Sequence, residues 1–126
     1  MRVLLVDDSS TIRNIQKKIL ISKGHTEISE AGDGVQGLSA YNLQRPDLML
    51  VDWNMPNMDG LTLVKKIREV DKSVLILMVT TEAEKTRVID AIGAGVNNYV
   101  VKPFTAQILS DKIEATIAKR TKAMAS

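Results

Sequence analysis

Four short stretches of the chain are almost continuously apolar, residues 2–6, 48–51, 74–79 and 99–101, and a fifth, weaker one covers residues 26–31. Runs this short, without polar alternation, are what parallel strands buried on both faces require. Between them the apolar residues recur at helical spacing. Ile12, Ile15 and Ile19 follow the first run, with Ser9 or Ser10 as the N-cap and Gly24 as the stop. Val35 and Leu38 fall in a helix over about residues 34–44, and Pro46 then forces an extended entry at Asp47. Leu63, Ile67 and Val70 mark a third helix that opens near Asp59-Gly60. A fourth runs from Glu82 to about Gly93 with Val88, Ala91 and Ile92 inward, stopped by Gly93 and Gly95. The last uses Ile108 or Leu109 with Ile113 and Ile117, before a polar tail from Lys119 that is expected to fray.

This order is five βα units, which predicts an α/β fold: a single doubly wound (βα)5 domain with a five-stranded parallel sheet, right-handed crossovers and helices on both faces. At 126 residues the chain makes one domain, and a chain of that size buries roughly two-thirds of its unfolded surface. The domain is expected over residues 1–120, with 121–126 as the tail. No linker, repeat or low-complexity segment interrupts it, so no output domain is expected within the chain.

In a doubly wound sheet, ligands bind beyond the carboxyl ends of the strands. Here those ends carry chemistry. The first run stops at Asp7-Asp8, the third at Asp52, the fourth at Thr80-Thr81 and the fifth at Lys102-Pro103. Acids after a strand are common helix caps, and Asp7-Asp8 alone is compatible with that role. With Asp52 on a neighbouring strand, three carboxylates share one crevice, and each pair at about 4 Å repels by roughly 4 kcal/mol at an effective dielectric near 20. A cation is therefore required. Lys102 supplies one charge but cannot satisfy so many oxygen lone pairs, whereas Mg²⁺ suits a site with few protein oxygens and several retained waters. Zinc is disfavoured by the absence of Cys and by a single His, His25, in a turn after Gly24.

With Mg²⁺ on Asp8, Asp52 and the backbone carbonyl of Asn54, one Asp52 oxygen remains as a nucleophile for a phosphoryl group. The Thr80 hydroxyl and the Lys102 ammonium can each hold a phosphoryl oxygen.

Composition adds exclusions. Seventeen basic residues against fifteen acidic ones give a net charge of +2, and one Trp, two Tyr and one Phe leave little for stacking on bases, so no nucleic-acid partner is expected. The lack of Cys rules out disulfides and thiolate chemistry. With no signal-peptide pattern and no long apolar run, no membrane insertion and a cytoplasmic location are expected.

The segments 6–11, 52–60, 78–82 and 99–104 together resemble the receiver domains of two-component response regulators, most closely the chemotaxis type. The resemblance spans nearly the whole chain and implies a flavodoxin-like strand order of 2-1-3-4-5. It implies that Asp52 is the phosphoacceptor, charged by a sensor histidine kinase, and that Asp8, Asp52 and the Asn54 carbonyl hold Mg²⁺, with Asp7 acting mainly through water. Thr80 and Tyr99 look like the family's switch pair, and Lys102-Pro103 like its cis peptide, which would aim the ammonium into the site. Asn54, Thr81 and Glu82 are placed to tune phosphoryl lifetime; Thr81 departs from the Ala often found there, which puts hydrolysis rate and donor access in question. The resemblance further implies an output face on the fourth helix, fifth strand and fifth helix, including Val88, Tyr99, Val101 and Lys112. The expected protein is a phosphorylation switch rather than an enzyme, a monomer that binds a flagellar motor switch protein, with a phosphatase as a further partner. A single-domain phosphorelay shuttle shares the same site. A small Mg²⁺-dependent phosphatase would need a second acid two residues after Asp52, where Asn54 stands. A flavin carrier would need a Gly-rich phosphate loop in place of Asp7-Asp8-Ser9-Ser10.

Overall fold

The computed structural model describes the backbone of residues 1–125 and the side chains of residues 1–120. Its elements alternate as the pattern predicts: β1 (Arg2–Val6), α1 (Ser10–Ser22), β2 (Glu27–Ala31), α2 (Gly34–Gln44), β3 (Leu48–Val51), α3 (Gly60–Val70), β4 (Leu75–Thr80), α4 (Lys85–Ala94), β5 (Asn98–Val101) and α5 (Ala106–Ala125). The strands form one parallel sheet in the order β2-β1-β3-β4-β5. Residues 121–125, expected as tail, continue the helical backbone of α5; the side chains of 121–126 and all of Ser126 lie outside the described residues.

Two apolar cores sandwich the sheet. Alternate residues of β1, β3 and β4 point to opposite faces: Leu4, Met49 and Ile76 join one cluster with Tyr41, Leu63 and Ile67, while Leu5, Leu50 and Leu77 join the other with Leu20, Leu109 and Ile113. The central strands are buried on both faces, which is why they carry no polar alternation.

Several helix positions differ from the periodic prediction. Ile15 is exposed and Gln16 is buried in its place on α1. Val70 is 70% exposed and Ile92 58% exposed. On α2 the residues that pack inward are Gly34, Gly37 and Tyr41, with Val35 outside and Leu38 half-buried. The reason is proximity: a Cβ on Gly37 would meet Val6 Cγ1 at 2.8 Å, and one on Gly34 would meet the Met58 carbonyl at 2.3 Å. The helix lies too close to its neighbours for larger side chains, so its apolar period is invisible in the sequence. α4 begins at Lys85 rather than Glu82, and Gly93 sits inside it; Gly95, at φ +113°, is the C-cap.

Candidate functional site

Each strand of the central trio releases its chain into a loop at the same end of the sheet. Asp7 follows β1 and is 1% exposed, Asp52 follows β3 and is 7% exposed, and Asp8 is exposed at the rim. One carboxylate oxygen from each of the three lies within 4.8 Å of the others. Lys102, just after β5, closes the group from the far side: its Nζ is 2.7 Å from Asp7 Oδ2 and 3.1 Å from Asp52 Oδ2. The Lys102-Pro103 peptide is cis.

Local structure fixes each acid. Asp7 Oδ1 accepts from the Ser9 N–H at 2.9 Å, the Asp7 carbonyl accepts from the Arg13 guanidinium, and Ser9 in turn caps α1 by accepting from Ile12 N at 3.2 Å. Beyond Asp52 the chain is held tightly. Gly60 N donates to the Trp53 carbonyl at 2.8 Å, and a Cβ on Gly60 would stand 2.0 Å from the Asp52 carbonyl oxygen. Asn57, in the left-handed region at φ +69°, donates to Asp33 Oδ2 at 2.8 Å while Asp33 Oδ1 caps α2. Trp53 is buried with the Arg87 guanidinium 5.2 Å from its ring centroid. The site-building parts of Arg13, Asp33, Asn57 and Arg87 come from pairings across 6 to 34 positions of chain, and no local pattern announces them; Gly60 alone was visible, as the start of α3.

The electrostatics remain unbalanced. Burial pushes the Asp7 carboxyl upward, and the Lys102 ammonium and Ser9 N–H offset that only in part. Burial pulls Lys102 down, but Asp7 and Asp52 more than reverse it, so the ammonium stays charged. Asp52 adds a smaller upward push on Asp7, and with Asp8 at the rim three carboxylates meet one ammonium, so the site favours more positive charge. Asp52 Oδ1 is buried and accepts no hydrogen bond among the described residues. A buried, unpaired carboxylate oxygen is costly, and a hard cation held by oxygens is the chemistry that relieves it. The donor set, all oxygen and without Cys or His, fits Mg²⁺.

Of the remaining predicted residues, those of the switch and the entry lie at the same end of the sheet as this cluster. Thr80 is fully buried at the end of β4, where its Oγ1 makes a long contact of 3.4 Å with Glu82 N. Tyr99 is half-buried and its hydroxyl donates to the Glu82 carbonyl at 2.5 Å. Asn54 and Glu82 meet directly, Nδ2 to Oε1 at 3.1 Å, across the mouth of the site, and Thr81 is exposed beside them. Val88, Val101 and Lys112 lie away from the acids on α4, β5 and α5. Val88 is half-buried and the other two are exposed. The exposed apolar residues Ile89, Ile92 and Ile108 occupy the same three-element region.

A family model described as the response regulator receiver domain matches residues 3–114. The chain belongs to the response regulator receiver domain family. Several of its curated relatives are named for chemotaxis. It is 49% identical over 117 residues to a chemotaxis protein CheY homolog of Campylobacter jejuni, covering 90% of each chain. It is 47% identical over 120 residues to the chemotaxis protein CheY1 of Helicobacter pylori, covering 93% of this chain and 97% of the relative. Among solved structures, it superposes with a TM-score of 0.90 and 28% identity on the CheX-CheY-BeF3-Mg²⁺ complex of Borrelia burgdorferi, covering 93% of this chain and 89% of that one. This receiver domain is thus a signalling switch of the chemotaxis response-regulator group, with the fold predicted from its sequence pattern and the strand order implied by the resemblance. No helix among the described residues is long and apolar enough to cross a membrane.

Proposed function

We propose that this receiver domain accepts a phosphoryl group on Asp52 from a histidine of a sensor kinase, in a cytoplasmic chemotaxis pathway, and passes the change to a flagellar motor switch protein. The observation that carries it is the Asp52 carboxylate itself: one oxygen buried without a partner, the other paired to Lys102, and two more acids alongside.

Asp8 and Asp52, with the Asn54 carbonyl and Asp7, would hold Mg²⁺. When bound, the ion would neutralise phosphoryl oxygens and so lower the repulsion met by an attacking carboxylate. An Asp52 oxygen forms the P–O bond as the P–N bond to the donor imidazole breaks, and the electron pair returns to the ring nitrogen. Lys102 keeps its ammonium in the site throughout and pairs with a phosphoryl oxygen. Thr80 has a hydroxyl whose contact with Glu82 N, at 3.4 Å, is weak enough to be exchanged for a phosphoryl oxygen. The group adds about two negative charges. Movement of Thr80 toward it frees space at the end of β4, and Tyr99 then exchanges its bond with the Glu82 carbonyl for a more buried position. That reorganises the loop into α4 and the exposed Ile89, Ile92, Val101 and Ile108. Coupling of about 1–3 kcal/mol between the sites would change partner affinity about 5- to 150-fold. Asn54, Thr81 and Glu82 ring the entry that attacking water must use, and so set the lifetime of the phosphoryl group.

The Borrelia complex with CheX, BeF3 and Mg²⁺ supports both the metal and a further protein partner for this chain, which we take to be a phosphatase. The protein is expected to act as a monomer. Incubation with acetyl phosphate and Mg²⁺ should add one phosphoryl group by intact mass, and Asp52→Asn should abolish the addition. Unchanged labelling in that variant would overturn the assignment. Binding of the labelled protein to a phosphotransfer domain, but never to a motor component, would select the phosphorelay shuttle instead.

A further inference from the structure

A cavity of about 530 Å³ opens at the end of the sheet opposite Asp52, between the start of β4, the loop into β5 and the far part of α5. Its lining is mostly apolar, with Leu75, the first residue of β4 and itself largely buried, in the floor, and Lys72, Lys119 and Arg120 stand around it. None of these three cations forms an ion pair among the described residues. The nearest acid in sequence, Asp71, stands behind the rim and is committed to it: its Oδ2 accepts from Tyr41 at 2.6 Å and its Oδ1 from the Ser73 hydroxyl at 2.8 Å. Three cations thus stand around the cavity against this one carboxylate, and none of them is paired with it.

The polar edge is fixed in place. Asn97 Oδ1 accepts from Ile76 N at 2.8 Å and from Arg68 Nη2 at 3.0 Å, which orients the side chain and leaves both Nδ2 hydrogens undonated among the described residues. The Ser73 hydroxyl is spent as a donor to Asp71 and keeps its acceptor lone pairs. The rim thus offers amide donors and a hydroxyl acceptor beside an apolar surface, with cations around them. A cavity of this size is in the range of small-molecule sites, and its walls are already formed.

We propose that this cavity binds a nucleoside polyphosphate, with the phosphates among Lys72, Lys119 and Arg120 and the base on the mostly apolar floor at Leu75, its edge read by Asn97 and Ser73. A bare inorganic anion would use the cations and leave the apolar wall and the oriented amide idle. Planar heteroaromatic rings match a surface that is apolar on its face and hydrogen-bonding at its edge, and guanidinium or ammonium groups bind phosphates.

The test is an amide NMR titration of the full ¹⁵N-labelled chain with ATP in Mg²⁺-free buffer, with adenosine and tripolyphosphate as separate probes. Saturable shifts are expected at Ser73, Leu75 and the Asn97 side-chain amide, with Asp52 and Thr80 unmoved. The double variant Lys119→Glu/Arg120→Glu should weaken binding by at least about tenfold while keeping a native spectrum and full acetyl phosphate labelling. Lys72→Glu, on a separate segment, should weaken it independently. Absence of saturable shifts up to about 1 mM, the weak end of specific recognition, overturns the site. Shifts that persist undiminished in both variants overturn its location, and equal affinity for tripolyphosphate and ATP overturns the nucleoside.

Discussion

The Tyr99 hydroxyl donates to the backbone carbonyl of Glu82 at 2.5 Å, joining β5 to the loop that leads into α4. A helix beginning at Glu82 would spend that carbonyl on an N–H four residues later. The carbonyl is taken from outside, and α4 starts at Lys85. Tyr99→Phe removes one hydrogen bond at a part-buried position, so it should lower stability by about 1 kcal/mol and speed amide exchange over residues 82–86. Hydrogen exchange by NMR reads this directly, and unchanged rates there would mean that something else pins the loop.

The apolar runs revealed the strands because burial on both faces leaves no room for alternation, and the strand ends revealed the acids because sheet topology alone brings residues 7, 52 and 102 together. What stayed hidden has a common cause. Gly34 and Gly37 are core residues through the absence of a side chain, so α2 gives no apolar stripe. The exposed Ile15, Val70 and Ile92 satisfy a helical period that the packing does not use. The Glu82 carbonyl, just ahead of α4, is held by Tyr99, seventeen residues further on, which no window around Glu82 contains.

Metal binding should be visible from Trp53. Its ring is buried beside Asp52 and under Arg87, so Mg²⁺ at the acids should quench its fluorescence. Asp8→Ala leaves the buried environment of Trp53 in place and should raise the Mg²⁺ concentration for half-quenching by about tenfold or more. A flat titration of the unaltered protein to millimolar metal would count against the site.

Lys102→Ala should separate metal binding from phosphoryl transfer. The ammonium lies 2.7 Å from Asp7 and 3.1 Å from Asp52, where it offsets the charge that attracts the metal. Its removal should tighten Mg²⁺ by about 1 kcal/mol, roughly fivefold after screening, while slowing labelling by acetyl phosphate. The fluorescence titration and the labelling rate should therefore move in opposite directions; weaker metal binding would show that Lys102 organises the acids more than it competes with the ion.

Two glycines should respond oppositely to alanine. A Cβ at Gly60 would lie 2.0 Å from the Asp52 carbonyl oxygen, a backbone atom that can yield only by moving the site, whereas a Cβ at Gly93 meets nothing within 4 Å. Gly60→Ala should cost about 3 kcal/mol and impair labelling, and Gly93→Ala should stabilise α4 by about 0.5–1 kcal/mol. Urea denaturation of both variants checks the pair.

Asp71 gives the fold a pH dependence of known sign. Burial pushes its carboxyl up, but hydrogen bonds from the Tyr41 hydroxyl, the Ser73 hydroxyl and the backbone N–H groups of Ser73 and Val74 outweigh it and hold the group well below the usual carboxylate range. A depressed folded-state pKa means that the stabilisation is fully present above the unfolded value near 3.9 and is lost as pH falls toward the folded value. Asp71→Asn keeps an acceptor for Tyr41 but loses the charge, so it should cost about 1–2 kcal/mol at neutral pH. The gap between the two proteins should stay constant from about pH 5 to pH 8 and narrow below about pH 4, where the unfolded-state carboxylate takes up its proton while the native one stays ionised. Urea midpoints across that range measure it. A gap that widens in acid would mean that the carboxyl is better bound protonated, and that Tyr41 and Ser73 do not hold it as an anion.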